Sequence, residues 1–322
     1  EGLPTIWCIN ADQLYDVMLD FSGLAESSPC NIGVWYWETT TCPAYFRHRA
    51  DLVDEIWAPT RFIRDAVESR VGSRVRLMPM VLRFDIPAGL ASAGPGAPGR
   101  LPIFLTRFDY FSDSDRKNPE GAIEAYCRAF PVPGRAQLVV KSANGHHFPD
   151  RLERLAWRVR NRSDITVVDG HLSVEDNWSL TASCDVFVSL HRSEGLGLNI
   201  AEAMLLGKPA IVTGFSGNLD FCSEETALLV GGRLVPIPVS ASSPYFDSGV
   251  WMEPDLDEAA ALMSDVVHDM AKALKVAKRG REHIESLGDT GSLGAFMMER
   301  LSSAIADREL HNVDRGVAGP IP

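Results

Sequence analysis

The chain has 322 residues, a formal net charge of −12 at pH 7 and 45% hydrophobic residues. This length allows two domains with cores of their own, and the composition is that of an ordinary globular protein. The acidic balance argues against nonspecific nucleic-acid binding, which requires clustered Lys and Arg. No apolar run reaches the ~20 residues of a membrane-spanning helix, and no signal peptide is recognised in the first residues.

The six cysteines are scattered along the chain, with no C-x-x-C pair and no His at metal-ligand spacing. This pattern predicts reduced, mostly buried thiols rather than disulfides or a zinc site. Because disulfides are rare in reducing compartments, we expect the protein to be cytoplasmic.

The first part of the chain alternates between strand-like and helix-like patterns. Thr60 is expected to cap a helix, and Ser22 to Asn31 is expected to be a loop. Strands are predicted over 6–9, 32–38, 55–58 and 74–82, and helices over 11–19, 43–52 and 60–69. The alternation predicts a parallel sheet covered on both faces.

Gly and Pro make up nearly half of residues 88–100, which is typical of a linker. The domains are therefore predicted as an N-terminal domain over 1–90, a linker over 91–100, a C-terminal domain over 101–290, and a C-terminal helix and tail over 291–322.

The second part repeats the strand and helix alternation. Asn118 and Pro119 predict one helix start, and Ser173 with Asp176 predicts another. Strands are predicted over 101–106, 137–141, 165–168, 185–190, 210–213, 227–230 and 233–239, and helices over 119–130, 150–162, 173–184 and 257–280, with an irregular segment over 240–254.

The most informative stretch is V-S-L-H-R-S-E-G-L-G-L-N-I-A-E-A-M-L-L-G-K-P, Val188 to Pro209. An apolar strand leads through a glycine turn into a helix, and the first turn of a helix presents unpaired N–H groups and a positive dipole end. Glycines let a phosphate approach those groups closely, so the stretch predicts an anion site. The residues of this site are Gly195, Leu196, Gly197 and Leu198. Two acids, Glu194 and Glu202, remain unexplained by packing, although either alone could be a dipole partner or cap.

Glu-x7-Glu around a glycine turn, followed by G-K-P and a second strand, resembles the nucleotide-sugar site of retaining glycosyltransferases of family 4, the glycosyl transferases group 1. The segments W-Y-W-E (35–38) and D-E-I-W-A-P-T (54–60) look similar to the N-terminal domain in one bacterial branch of that family. The resemblance implies an α/β fold of GT-B type, in which two Rossmann-type domains face a cleft. The C-terminal domain would hold the donor. The N-terminal, acceptor-side domain would be incomplete.

The family's site residues transfer to this chain by position. Glu194 would lie by the donor sugar, Glu202 would bind the nucleotide ribose, and the amides of Leu196 to Leu198 would hold the diphosphate. Together with Gly195 and Gly197, these positions form the expected donor site.

Cationic residues carry the rest of the resemblance. Lys117, in R-K-N-P, and Arg107 would neutralise the leaving diphosphate. Arg116 is the alternative to Arg107, because the glycine that usually precedes this Arg is absent and the loop is long. Leu172 belongs to a loop that lies near the base in the family, and Lys141 is a further phosphate contact. For each Lys or Arg, a solvated surface charge is the competing interpretation.

The function implied is metal-independent transfer of a sugar, with retention, from a nucleotide-diphosphate-sugar donor to a hydroxyl acceptor, without a cofactor. The D-x-D sequence, Asp113-x-Asp115, lies in the long loop beside Lys117 rather than at a strand end. Two other functions remain open: a non-catalytic or partner-dependent nucleotide-sugar-binding module, because no glycine-rich acceptor loop precedes Ile6, and a GT-B epimerase.

Two partner hypotheses remain from the sequence. An incomplete N-terminal sheet would favour self-association, or a second fragment, through the N-terminal half. A basic run, Lys272 to Arg281, could contact an anionic membrane surface or be a solvated helix face. The base, the sugar and the acceptor cannot be read from the sequence.

Overall fold

The computed structural model describes residues 3–90, 99–238 and 249–314, with side chains up to residue 308. Most of the predicted linker therefore lies outside the described residues. The chain forms two compact units: unit 1 is Glu1–Val81, Pro244–Val250 and Asp289–Pro322, and unit 2 is Leu82–Ser243 and Trp251–Gly288. The last helix thus belongs to unit 1, whereas the sequence suggested a separate C-terminal segment.

Unit 1 contains a four-stranded parallel sheet in the order β1-β2-β3-β4. All four residues of β3 are buried, as expected for a central strand. The elements are β1 (Thr5–Trp7), α1 (Ala11–Asp20), α2 (Ser22–Ser27), β2 (Asn31–Val34), α3 (Phe46–Ala50), β3 (Glu55–Ala58), α4 (Arg61–Val71) and β4 (Val75–Leu77).

Helix α4 shows why these residues fold locally as they do. Thr60 accepts a hydrogen bond from the backbone N–H of Ile63 (3.2 Å), which confirms the predicted N-cap. Ile63, Ala66 and Val67 are buried at the helical spacing i, i+3 and i+4. The helix therefore packs one apolar stripe and leaves its charged residues outside.

Unit 2 contains a six-stranded parallel sheet in the order β10-β9-β8-β5-β6-β7. The aromatic rings of Phe104, Tyr126 and Phe130 pack within 6 Å of one another at the centre of its core. The elements begin with β5 (Ile103–Asp109), α5 (Ser114–Lys117), α6 (Pro119–Ala129), β6 (Gln137–Ala143), α7 (Pro149–Val159), β7 (Ile165–Asp169), α8 (Val174–Ser183) and β8 (Val186–Ser189).

The rest of unit 2 follows the central stretch. Its elements are α9 (Leu198–Leu205), β9 (Ala210–Thr213), β10 (Leu228–Val230), β11 (Gly232–Pro236), β12 (Val250–Pro254), α10 (Leu256–His268) and α11 (Met270–Ser286). Strands β11 and β12 pair as a separate two-stranded sheet. The strand order of the main sheet is that of the doubly wound Rossmann fold. All its strands are parallel, and the order in which they are added along the sheet reverses between β5 and β8.

The last helix, α12 (Thr290–Asp314), returns to unit 1. Its Ala304, Leu301 and Ile305 join a core cluster with Ile32 and Trp57 of the sheet. The strand order in unit 1 runs in one direction, and right-handed crossovers then place the connecting helices on one face of the sheet. Helix α12 packs against apolar side chains of β2 and β3 that would otherwise be exposed.

Several boundaries differ from the sequence prediction. The segment 22–31 contains α2 rather than only a loop. Of the segment 240–254, which was predicted to be irregular, residues 240–248 lie outside the described residues, and the remainder contains β12. The predicted helix over 257–280 is two helices, because Asp269 interrupts it and caps α11 by accepting from the N–H of Lys272 (3.0 Å). The strand over 32–38 ends at Val34, since Trp37 bonds through its indole N–H to Thr39 and Thr41 where the chain turns.

Helix α11 carries the predicted basic run, and two acids that follow the run pair with its last residues. Lys278 pairs with Glu282 (3.8 Å) and Arg281 with Glu285 (2.7 Å), both at i, i+4 spacing. These pairs fit a solvated helix face. Membrane contact stays a prediction, as does association through unit 1.

Candidate functional site

The central stretch lies where the winding of the unit 2 sheet reverses. Strands β5 and β8 are neighbours, and the chain leaves them in opposite directions to form the two halves of the sheet. In open α/β sheets, ligands bind beyond the carboxyl ends of the strands at this point. Lys117 follows β5 and Glu194 follows β8, so both belong to segments that leave this edge.

Glu194 lies between two cations. Its Oε1 accepts a hydrogen bond from the Lys117 ammonium (2.5 Å), and its Oε2 accepts one from Arg116 Nη1 (3.2 Å). The side chain of Glu194 is 9% exposed and that of Arg116 is 3% exposed, so this ion pair is shielded from water. Lys117 is more open, at 16%. Lys117 is therefore the more accessible of the two cations.

Opposing effects set the charge of Glu194. Burial raises the pKa of its carboxyl group, but Lys117 and Arg116 outweigh burial and lower the pKa to about 2. Glu194 is thus ionised at neutral pH. With two cations and one carboxylate, the cluster carries a net positive charge, which suits an anionic ligand.

Hydrogen bonds fix the segment that carries Lys117 to the segment that carries Glu194. The backbone N–H of Arg192 donates to the carbonyl of Arg116 (2.7 Å), and Asn118 Nδ2 donates to the carbonyl of Leu190 (2.8 Å). Asn118 also caps α6 by accepting from the N–H of Gly121 (3.1 Å), as the sequence predicts. The cation and the carboxylate are therefore held together by the backbone as well as by their charges.

A second glycine turn supports the Glu194 loop from the other side. Ser216 Oγ accepts from the N–H of Glu194 (2.8 Å), and the N–H of Gly217 donates to the Glu194 carbonyl (2.9 Å). A Cβ atom at Gly217 would lie 1.7 Å from the carbonyl oxygen of Gly195, so no other residue fits there. The two loops are consequently packed backbone against backbone.

His191 and Asn218 complete this support as a buried polar pair. His191 Nε2 lies 3.1 Å from Asn218 Oδ1, and its Nδ1 lies 3.0 Å from Ser189 Oγ. Burial lowers the pKa of His191 below its ordinary value, so the ring is neutral. These residues position the loop and were not singled out from the sequence.

The glycine turn ends at the start of α9. Gly197 has a φ of +86° and precedes the first helical residue without a side-chain cap. Its carbonyl accepts from the amides of Ile200 (2.9 Å) and Ala201 (3.2 Å), as in the first turn of a helix. The amides of Leu198 and Asn199 precede the first intrahelical donors of α9. Gly195, Leu196 and Gly197 are buried while Leu198 is exposed, and the binding of an anion at this turn stays a prediction.

Arg107 and Glu202 form a separate cluster. Arg107 Nη1 lies 3.1 Å from Glu202 Oε2, and the same nitrogen donates to Thr181 Oγ1 (2.6 Å). Its Nη2 donates to Asn177 Oδ1 (3.3 Å). Burial raises the pKa of Glu202, and Arg107 opposes that rise. The structure thus places Arg107 with Glu202, and it places Arg116, the alternative considered from the sequence, with Glu194.

Lys141 and Leu172 lie beside this second cluster. Lys141 is 4% exposed, and its ammonium donates to the backbone carbonyls of Ser142 and Gly170. The carbonyl of Leu172 accepts from Asn177 Nδ2 (3.3 Å). Lys141 therefore supports the loop after β7 in this structure, and its predicted contact with phosphate stays a prediction.

Asn177 and Thr181 were also missed from the sequence. They lie four residues apart on α8, one helical turn, and both bond to the same guanidinium. A polar pair at that spacing on a helix that precedes the central strand is a usable signal. The partner could not be named in advance, because Arg107 is 70 and 74 residues away from them along the chain.

A cavity of about 200 Å³ lies on the other side of α5. The D-x-D sequence is beside it, and Arg151 pairs with both acids, with Asp113 at 3.6 Å and with Asp115 at 3.4 Å. Arg154 pairs with Glu120 and Arg192 with Glu253. Here three arginines pair with four carboxylates, so the cavity has no excess of positive charge and is a poorer anion site than the Glu194 cluster.

Within the described part of the chain, no group of three or more His, Cys, Asp or Glu is placed to hold a metal ion. The absence of a metal requirement stays a prediction. Among the helices of the described residues, none is both long enough and apolar enough to cross a bilayer. All six cysteines are free thiols.

Comparison with known proteins identifies the family. The family model described as glycosyl transferases group 1 matches residues 112–283, more than half of the chain. The chain belongs to the glycosyl transferases group 1. The match spans Lys117, the Glu194 loop and Glu202, whereas Arg107 lies just before it.

Among curated proteins, the lipopolysaccharide core biosynthesis mannosyltransferase LpsB of Rhizobium meliloti is 29% identical over 120 residues, which are 36% of this chain and 33% of LpsB. The chain thus aligns with about a third of the length of this curated relative.

Solved glycosyltransferases share the fold. Anabaena HepE in complex with UDP and glucose superposes with a TM-score of 0.66 at 14% identity, covering 91% of this chain and 76% of HepE. Sucrose-phosphate synthase from Thermosynechococcus elongatus gives 0.63 at 19% identity, covering 92% and 79%. These neighbours are GT-B glycosyltransferases, and this family member has their mixed α/β fold with parallel sheets.

Proposed function

We propose that this protein is a retaining glycosyltransferase of family 4, which moves a sugar from a nucleotide-diphosphate sugar to a hydroxyl acceptor. The observation that carries the proposal is the buried Glu194 carboxylate, held by Lys117 and Arg116 beside the N-terminus of α9. Glu202 follows it with the Glu-x7-Glu spacing. A nucleotide-sugar donor is supported by HepE, which was solved with UDP and glucose, and by the mannosyltransferase name of LpsB.

The diphosphate would bind to the first turn of α9 and to Lys117. The amides of Leu196 to Leu198 supply hydrogen-bond donors, and the helix dipole favours negative charge there. The net positive charge of the Glu194 cluster would attract the donor's diphosphate. On binding, the Lys117 ammonium would move from Glu194 towards a phosphate oxygen, while Arg116 keeps the carboxylate in place.

Glu194 would act on the sugar side of the bond that breaks. When the bond between the anomeric carbon and the phosphate oxygen breaks, the electron pair stays on the phosphate and positive charge develops on the sugar ring. The ionised Glu194 offsets that charge, and Lys117 and the amides stabilise the departing phosphate. The acceptor oxygen attacks from the same face, and its proton passes to the leaving phosphate. The configuration is therefore retained.

We also propose that the reaction needs no metal ion, since Lys117 and the helix N-terminus supply the positive charge near the phosphates. Donor binding would then be unaffected by EDTA. Binding that is lost with EDTA and restored by Mg²⁺ or Mn²⁺ would overturn this part of the proposal.

The decisive test is donor turnover with UDP-, GDP- and ADP-sugars, with the anomeric configuration of the product read by NMR. Glu194→Gln removes the charge but keeps the shape, so turnover should fall while affinity for the nucleoside diphosphate changes less than threefold. The matched control is Glu282→Gln on α11, an exposed acid with a Lys partner. Nucleotide binding without turnover would indicate a binding module instead, and inverted product would exclude the retaining mechanism.

A further inference from the structure

Arg107 occupies a position that phosphate neutralisation does not explain. It lies near the carboxyl end of β5, but its guanidinium is directed to Thr181, Asn177 and Glu202. Its side chain is only 12% exposed. In this structure three of its hydrogen bonds go to protein side chains, and one of those partners, Thr181, is fully buried.

The partners of Arg107 lie on two different helices. Thr181 and Asn177 are on α8, and Glu202 is in the middle of α9. Thr181 Oγ1 itself donates to the carbonyl of Asn177 (2.9 Å), so its lone pairs remain available to Arg107. Two neutral acceptors thus orient the guanidinium towards the Glu202 carboxylate.

The same contacts continue to the loop after β7. Asn177 accepts from Arg107 through Oδ1 and donates through Nδ2 to the carbonyl of Leu172. A continuous chain of contacts therefore runs from Glu202 through Arg107 and Asn177 to the 170–173 loop. An Arg in such a chain sets the position of the carboxylate relative to the loop.

We infer that Arg107 is a positioning residue that holds Glu202 ionised and oriented for a nucleoside hydroxyl pair, and that it does not contact the diphosphate. The inference rests on the proposed function, because Glu202 is taken as the ribose ligand there. It differs from the role expected from the sequence, in which Arg107 neutralises the leaving diphosphate.

The charges around Glu202 favour this assignment. Strands β8 and β9, which pack against α9, contribute no charged residue. Helix α8 contributes the neutral Asn177 and Thr181, while its two acids, Glu175 and Asp176, are exposed in its first turn. Helix α11 also packs there, but its Arg281 is paired with Glu285. Arg107 is the group whose charge opposes the effect of burial on the Glu202 pKa. Without Arg107, a partly buried carboxylate would take up a proton more readily.

The first experiment needs no ligand. The pKa of Glu202 is measured by carboxyl ¹³C NMR in the wild-type protein, in Arg107→Gln and in Arg128→Gln. Arg128 is the control, since it is an exposed Arg that pairs with Glu124 and Asp257. We expect the Glu202 pKa to rise in Arg107→Gln only. An unchanged pKa would overturn the inference.

The second experiment is a double-mutant cycle with UDP, GDP and ADP as calorimetric probes, using whichever binds the wild type most tightly. Arg107→Gln and Glu202→Gln should each weaken binding roughly ten- to a hundredfold, and the double variant should lose no more than either single one. The loss in Arg107→Gln should grow as the pH falls, and Arg107→Lys should restore part of the affinity. Additive losses would show that Arg107 acts on the ligand independently and would overturn the inference.

The matching nucleoside monophosphate distinguishes the two roles of Arg107. If Arg107 is a positioning residue, Arg107→Gln should weaken binding of the monophosphate and the diphosphate by the same factor. If Arg107 contacted the diphosphate, the loss of affinity should be much smaller for the monophosphate. If Arg107→Gln does not fold, Thr181→Val can replace it, because this variant keeps the charge of Arg107 and removes one of its acceptors. Its loss of nucleotide affinity should be smaller and should depend on pH in the same way. Failure of the wild type to bind any of the three nucleotides would reject the proposed function, whereas normal binding in Arg107→Gln would reject only this inference.

Discussion

The two parallel sheets of this chain are wound differently, and the difference explains where the chemistry lies. In unit 1 the four described strands follow one another in a single direction, β1 to β4. In unit 2 the chain starts at the centre with β5, builds outward to β7, and then returns to build β8, β9 and β10 on the other side. Only in unit 2, therefore, are there two neighbouring strands, β5 and β8, after which the chain continues on opposite faces of the sheet, and this leaves a crevice between them.

This winding also determines how each sheet is covered. In unit 2 the reversal places local helices on both faces, so the sheet is buried by its own connections. In unit 1 the connections cover one face, and α12, from the other end of the chain, packs on β2 and β3. Glu55 is 6% exposed and is bonded by Arg300 of that helix. In unit 1 the Arg300–Glu55 ion pair holds α12 on the sheet, whereas in unit 2 the Arg116–Glu194 ion pair lies at the candidate site.

The largest expected effect is the loss of turnover when Lys117 of unit 2 is replaced. Lys117→Met removes the accessible cation of the Glu194 cluster, so we expect turnover to fall by about 10²- to 10³-fold, as for loss of one stabilising donor at a developing anion. Thermal stability should change little, since Arg116 still pairs with Glu194. Donor turnover and calorimetric unfolding measure the two effects.

The control for this variant is Lys278→Ala on α11, an exposed Lys with an acidic partner. It should leave turnover unchanged. Turnover in Lys117→Met within threefold of the wild type would remove Lys117 from the reaction.

In unit 1, Arg300→Met should lower stability rather than activity. Arg300 Nε donates to Glu55 Oε1 (2.8 Å), and without it the buried carboxylate keeps only Trp57 Nε1 (2.8 Å) and the more distant Arg76 (3.7 Å). We expect a loss of about 2–3 kcal/mol in the free energy of unfolding. Nucleotide affinity should stay within twofold of the wild type.

Arg64→Met is the matched control, because Arg64 pairs with Asp65 at the surface of the same unit. Its cost should be below about 0.5 kcal/mol. If Arg300→Met instead weakened nucleotide binding as strongly as it lowers stability, the separation of roles between the two units would be wrong.

Removing one helix cap in each unit should have smaller effects, on stability in unit 1 and on both stability and turnover in unit 2. Thr60→Ala in unit 1 removes one cap and should cost about 1 kcal/mol of stability with unchanged turnover. Asn118→Ala in unit 2 removes a cap and also the bond to the Leu190 carbonyl, so it should cost about 2 kcal/mol. Turnover should fall about tenfold as well, because Asn118 fixes the segment that carries Lys117. Equal turnover in both variants would contradict this role for Asn118.

The smallest expected effect is on pH dependence. The pKa of Glu194 is lowered to about 2, so its contribution to stability is fully present above its ordinary value of 4.5 and is lost as the pH falls through about 2. Turnover at saturating donor should therefore show no acid limb from Glu194 between about pH 5 and about pH 8. The pKa of Glu202 is raised, so any acid limb should occur in nucleotide affinity. An acid limb in saturated turnover that disappears in Glu194→Gln would contradict this assignment.

Local signals were sufficient for much of unit 2. The caps at Asn118 and Ser173 and the strand that leads into the glycine turn were read correctly, because capping and apolar runs act over a few residues. The break at Asp269 was missed, since the apolar pattern continues across it and only the Asp269 cap, which accepts from the N–H of Lys272, marks the new helix start. The strand ends near Val34 and Leu77 were also misjudged, because strand length depends on the neighbouring strand.

The sequence by itself determined the fold class, the family and the two acids at Glu-x7-Glu spacing, because strand and helix periodicity and a glycine turn are local properties. The tertiary structure decided which cation meets which acid. The sequence favours Arg107 as the phosphate ligand, with Arg116 as the alternative. The positions of α5 and α8 placed Arg116 on Glu194 and Arg107 on Glu202. Those contacts join residues 78 and 95 positions apart, and no local pattern fixes such a pairing. Long-range ion pairs depend on how the elements pack, which only the folded chain defines.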